Sequence, residues 1–332
     1  MILAAELREV LRRALRRVLD LPAALEALER QRRRFVFYRF LFLPALSLPW
    51  VGALVATLIR PESPLFVLGF VGGVTVLVIY LAGYSRLTQA LTTALRQNAV
   101  APALRVMGFQ PQGGAPRDAE TAQRDVLLKI FPSLALSFSS RFLSPRRELQ
   151  LNHLGLKELG AHKVYVTHVY AAVRGKGWVR TLFLGPVASA SCPDGQEILV
   201  VREMGVLGVL EDLKRGLTGL QRVELSDPSF EALYSVYART EAAAAALRPA
   251  LRDALVQLAR DSSTRPLVAF RDGWVHVFIP HQGFLTPHRW ARVSEDRLIS
   301  DLEALLQATL LAAVAAGASP PELLASLRES TA

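Results

Sequence analysis

A chain of 332 residues that is 51% hydrophobic, with a mean hydropathy of +0.27, leaves about 247 residues from Arg86 onward, enough for one sizeable soluble domain or two small ones. Its single cysteine, Cys192, excludes an internal disulfide framework and any cysteine-rich metal site. The net charge of +10 is dense only at the start, where residues 1–39 hold ten arginines against five acids; residues 86–332 hold 28 basic against 23 acidic side chains, which points to anionic lipid headgroups as the basic partner and away from nucleic acid.

Residues 3–19 have an amphipathic helical pattern. Leu3, Leu7, Val10, Leu11, Ala14 and Val18 share one face, with Arg12, Arg13 and Arg16 on the other. Such a helix lies in the headgroup layer or packs on the protein's own soluble domain. Pro22 restarts a helix that leads through Arg32, Arg33 and Arg34 towards the first apolar run. These six arginines are the candidate lipid-headgroup contacts. The start shows no signal-peptide pattern.

Phe40–Ile59 and Pro64–Tyr84 are uncharged runs of twenty and twenty-one residues, each long enough to cross about 30 Å of hydrocarbon as a helix. Only Arg60-Pro-Glu-Ser63 separates them, so a transmembrane helical hairpin is expected over 35–85. Arginines crowd both outer flanks, which places both ends in the cytoplasm of a cell (inner) membrane, as a multi-pass protein. Pro44 and Pro49 should kink the first span or delay its start. Gly69 and Gly73, with Gly52 and Ala56 opposite, have the spacing that permits close backbone contact.

Helical character continues from Arg86 to Arg105, interrupted near Pro102, and Gln110–Pro116 is rich in turn residues. A short helix runs from Asp118 to Phe131 before Pro132. Residues 86–132 therefore form a helical stalk and linker, and 133–332 a cytoplasmic domain. Residues 133–160 carry no clear pattern. From His162 the period changes to two: Val164 and Val166 point one way, Tyr165 and Thr167 the other. Arg174-Gly-Lys-Gly177 makes a hairpin turn into a strand from Trp178 to Val187, and a third short strand runs over 197–202. Gly205–Gly219 suits a short helix with loops. Strand-like pieces follow at 221–225 and 233–239 around Asp227-Pro228, then a strong helix over Glu241–Arg260. Leu267–Arg271 and Trp274–Pro280 form a hairpin across Asp272-Gly273. Trp274, His276 and Phe278 share one apolar face and Val275, Val277 and Ile279 the other, which predicts a strand covered on both sides with a buried, hydrogen-bonded His276. The last helix, Ser294–Ala316, is long and apolar enough to be weighed as a third span. Its leucine face (Leu298, Leu302, Leu305, Leu306, Leu310) fits packing on a sheet better. Strand runs followed by helices define an α+β class with a mainly antiparallel sheet.

Motifs for chemistry are absent. His162 and His168 would stand about 20 Å apart on one strand, and His276, His281 and His288 have no metal-binding spacing. No phosphate-binding glycine loop and no GxSxG occurs. Cys192 has no recognisable partner, and the adjacent acids Glu211-Asp212 and Glu295-Asp296 suit solvated helix starts. No catalytic residue, cofactor or metal is assigned. The reading is a membrane-anchored protein whose cytoplasmic domain binds a protein or lipid; the alternative is a membrane-bound enzyme with an unrecognised site.

The run Arg222–Tyr237, the Leu247-Arg-Pro249 helix and the hairpin Val268–Pro280 resemble an uncharacterised bacterial membrane protein family catalogued as a domain of unknown function. The resemblance covers 220–285 and extends over 164–316. It implies two N-terminal spans followed by a cytoplasmic α+β domain, and supplies no catalytic residues. Ala242–Ala246 departs from it, a plain alanine run where relatives carry polar and aromatic residues.

Overall fold

The computed structural model describes residues 21–59, 65–95, 97, 100–110, 115–131, 134, 146–175, 178–193, 196–202, 219–245, 247–261, 265–281 and 294–319. The expected helices at 3–19 and within 205–219, Arg12, Arg13, Arg16, His288 and the pair Glu211-Asp212 lie outside these residues. Two compact units emerge, one built on two long helices and the other on a single β-sheet.

In the helical unit, α1 spans Leu21–Ile59 and α2 spans Leu65–Leu95, 39 and 31 residues. At 1.5 Å per residue they are about 58 and 46 Å long. Pro22 sits in the first turn of α1, where a missing N–H costs nothing. The later start expected from Pro44 and Pro49 does not occur: α1 is continuous through both. Each proline removes one backbone donor, and the rest of a long helix packed against a neighbour carries the chain across it.

The two helices meet through aromatic rings. Phe35 lies 5.2 Å from Tyr84, Tyr38 stacks on Tyr80 at 6.0 Å, and Trp50 meets Phe70 edge-on at 5.5 Å. The Tyr38 hydroxyl donates to the Ile79 carbonyl at 3.2 Å. Glycines seat these rings: a Cβ on Gly83 would collide with the Tyr38 hydroxyl, and one on Gly73 would come within 2.9 Å of the Trp50 indole. Gly52, expected at the close approach, has nothing within 4 Å of where its Cβ would be. The small residues of α2 therefore receive side chains of α1.

The sheet unit is α+β. Its eight strands are β1 (Arg146–Leu159), β2 (His162–Gly175), β3 (Trp178–Ser191), β4 (Ile198–Arg202), β5 (Gln221–Val223), β6 (Tyr234–Ala238), β7 (Leu267–Arg271) and β8 (Trp274–Phe278). They form one sheet in the order β1-β2-β3-β8-β7-β4-β6-β5, with every neighbouring pair antiparallel. The first three strands are 14 residues each, about 46 Å if straight.

Strand β1 escaped the sequence pattern for a physical reason. Its register slips between His153 and Gly155, so its alternation changes phase halfway. It also buries Lys157, a residue whose charge disguises an inward position. Strand β3 runs four residues beyond its expected end at Val187, to Ser191. It passes Gly185, where a Cβ would strike the Ile279 carbonyl.

The Asp272-Gly273 hairpin is as expected. Both turn residues have positive φ, 51° and 78°, as the two-residue turn requires. It places β8 between β3 and β7, inside the sheet, with all five of its residues buried. On one face lies α4 (Arg117–Ile130), whose Ala119 and Ala122 pack on Trp274, while Val126, Leu127 and Ile130 join a cluster with Phe278 and Val187. That helix, read from sequence within a stalk, lies on the sheet. A shorter helix before it, α3 (Ala101–Val106), holds Pro102 in its first turn. After the one-turn α5 (Pro228–Glu231), capped by Asp227, come α6 (Glu241–Ala245) and α7 (Pro249–Asp261). The opposite face of the sheet is touched by α7, where the buried Tyr234 reaches the Leu255 carbonyl. One continuous helix was expected over 241–260. Pro249 divides it, because the residue before proline is driven out of the helical region. The final helix, α8 (Glu295–Ala316), starts with Glu295 and Asp296 in its first turn and is buried nearly all round, beyond the single leucine face expected.

Candidate functional site

Antiparallel register brings the charged residues together. Ile198, the first residue of β4, pairs with Ala238 of β6 on one side and Phe270 of β7 on the other. One step outward along the three strands stand Glu197, Arg239 and Arg271, which converge at that end of the sheet. Lys129, in the last turn of α4, reaches the same point. Gln196, Thr240, Ala243 and Asp272 complete the lining of a cleft of about 490 Å³.

The Glu197 carboxylate is the hub. Its Oε1 accepts from Lys129 and from Arg271 Nη1 (2.8 Å), and its Oε2 accepts from Arg239 Nε and Nη2 at 3.0 and 2.9 Å. Burial alone would raise its pKa; the hydrogen bonds from Lys129 and Arg239, with the charges of Lys129 and Arg271, outweigh it and hold the carboxyl below its usual range. A carboxylate so saturated is a poor proton acceptor. The three cations differ in commitment. Arg271 also contacts Asp125 at 3.7 Å and Asp272 at 3.1 Å, and its side chain is 20% exposed. Among the described residues Arg239 pairs with Glu197 alone, and it is 71% exposed.

Lys157 and His276 are among the other deeply buried polar residues. Lys157 is 2% exposed, donates its ammonium to the Met107 carbonyl and lies 5.3 Å from the Phe109 ring centre. Burial lowers its pKa to about 8. Beside it, Gln110 and Leu156 exchange backbone hydrogen bonds at 2.7 and 3.0 Å, fastening the segment after α3 to the edge strand. His276 is fully buried, 2.8 Å from the Ser189 hydroxyl, which bears out its expected core role.

The residues marked in the sequence fall elsewhere. Arg32 is tied to Glu29 at 2.7 and 2.5 Å and half-buried, while Arg33 and Arg34 are exposed on α1. Cys192 is buried beside the hairpin, its N–H donating to the Gly273 carbonyl. His162 and His168 lie on β2, and His281 meets Asp301 of α8 at 2.7 Å. Among the described residues no group of three or more His, Cys, Asp or Glu is placed to hold a metal. Sequence reasoning missed the cleft altogether: Lys129, Glu197, Arg239 and Arg271 come from four separate stretches of the chain, and no spacing links them.

The fold and cleft define an α+β protein with an eight-stranded antiparallel sheet, accompanied by two long apolar helices. A DUF3137 domain, described as a protein of unknown function, is found at residues 193–312, about a third of the chain. No curated protein and no solved structure matches. The matched region contains β4–β8 and every residue lining the cleft, whereas Lys129, β1–β3 and both apolar helices lie outside it.

Proposed function

We propose that this chain is a two-span membrane protein in which a helical hairpin anchors a cytoplasmic binding module, with the Glu197 cleft as its contact site. The observation that carries the anchor is the exposed apolar surface of α1 and α2: Leu58 is 78% exposed, Phe37 68%, Leu48 67% and Val67 60%. Water does not tolerate a contiguous apolar surface on this scale without a partner, and helices with every backbone group bonded internally are suited to hydrocarbon. Arg33 and Arg34, exposed on α1, would meet anionic headgroups on the cytoplasmic side. The saturated state of Glu197 favours binding over the rival reading of an enzyme, because that carboxylate is already committed to three cations.

The topology is tested by thiol labelling in intact cells. Cys192 is buried, so its silence would say nothing about sidedness; it is first replaced by alanine. A cysteine at Ser63 is expected to react with an impermeant reagent from outside, and one at the exposed Asp253 only after the membrane is opened. Labelling of Asp253→Cys in sealed cells would overturn the orientation.

A further inference from the structure

We infer that the cleft is a phosphate-binding site in which Arg239 is the movable arm. The inference rests on the reading of the sheet unit as a binding module and supplies the chemistry it recognises. Three cations converge on the single carboxylate of Glu197, and its two oxygens are loaded unequally. Lys129 and Arg271 share Oε1, so Glu197 keeps two charge-assisted partners if Arg239 leaves. Arg239 holds only Oε2, through one edge of its guanidinium, and its side chain is 71% exposed. An incoming anion can therefore take Arg239 over without stripping Glu197 bare, which would otherwise be the costly step. The acids around Arg271 do not cancel this. Asp125 and Asp272 are 43% and 66% exposed and contact Arg271, and among the described residues Arg239 has no second acid.

The donor set selects the ligand. Arg239 offers a planar fork that fits two oxygens of an oxyanion. The Thr240 hydroxyl accepts from the Ala243 N–H at 3.1 Å, which leaves its own proton to donate. Gln196 adds an exposed amide on the same wall. Donors approaching from two separate segments, Gln196 before β4 and Arg239-Thr240 after β6, suit the tetrahedral oxygens of a phosphate better than a planar carboxylate. A volume of about 490 Å³ leaves room for whatever the phosphate is attached to.

The test is titration of inorganic phosphate against the full chain in neutral detergent micelles, at ionic strength held constant with chloride. Wild type is expected to bind saturably, and Arg239→Gln at least about tenfold more weakly, as loss of a charge-assisted pair implies. Arg239 is exposed, so the variant should keep the wild-type melting temperature. Glu197→Gln, which removes the competing carboxylate, should bind phosphate more tightly wherever its melting curve shows it folded. Repeating the titration in lipid discs identifies the source: suppression by an anionic phospholipid relative to a neutral one assigns the site to headgroups, and no suppression assigns it to a free phosphate compound. Absence of binding by wild type, or equal binding by Arg239→Gln, overturns the inference. Neither result bears on the anchor, which the thiol labelling decides separately.

Discussion

Helices α2 and α8 are close in apolar character, and each is long enough to cross a bilayer, yet only 6% of the most apolar stretch of α2 is buried against 83% for α8. The residues that differ are few. Asp301, Glu303 and Gln307 interrupt α8, and all three find partners: Asp301 holds His281, and Gln307 donates to Glu303 at 3.3 Å. Along Phe70–Tyr84, α2 offers no such group. Hydrophobicity states how strongly a helix avoids water. Whether protein or lipid satisfies it depends on polar residues that need partners, and on a sheet unit that supplies them.

Substituting like residues in the two helices should expose this difference most strongly. Leu305 in α8 is fully buried and Leu81 in α2 is 54% exposed. Leu305→Asp places an unpaired charge in the core and should cost on the order of 4 kcal/mol or more, unfolding the sheet unit. Leu81→Asp should leave the melting of the sheet unit unchanged and, in the proposed anchor, weaken insertion by about 3 kcal/mol. A scan of tryptophan fluorescence and a glycosylation-type insertion assay would read the two effects. Equal loss of the sheet unit in both variants would break the comparison.

Acid should separate the two units next. His276 is buried and neutral, and burial pushes its pKa down from 6.5 to about 3. The unfolded chain takes up a proton as pH falls through 6.5, and the folded sheet does not. The stabilising effect of a neutral His276 is therefore complete above 6.5 and is lost progressively as pH falls towards 3, by at most about 1.4 kcal/mol per pH unit. His276→Gln should flatten that slope in a melting series from pH 7 to 4, and an unchanged slope would remove His276 as its cause.

The smallest effect is again a matched pair. Val277 of β8 is fully buried, and Val78 of α2 is 59% exposed. Val277→Ala should destabilise the sheet unit by about 1–3 kcal/mol through lost burial and a cavity, whereas Val78→Ala should change it by less than about 0.5 kcal/mol. Chemical denaturation of the full chain in micelles measures both. If Val277→Ala were silent, the hairpin would not be the structural centre its position between β3 and β7 implies.

Local signals were legible in the residues themselves. Two uncharged runs of twenty and twenty-one residues announce long helices, because chain length and transfer energy require no knowledge of neighbours. Asp272-Gly273 between alternating apolar residues announces the hairpin, because only a few residue types accept positive φ. The antiparallel class followed from short strands joined by turns. Tertiary structure decided the rest. It buried α8, it hid Lys157 in an edge strand whose register slips, and it gathered Lys129, Glu197, Arg239 and Arg271 into one cleft. That convergence depends on Ile198 pairing with both Ala238 and Phe270, and pairing between strands separated by dozens of residues leaves no periodic mark on a single sequence.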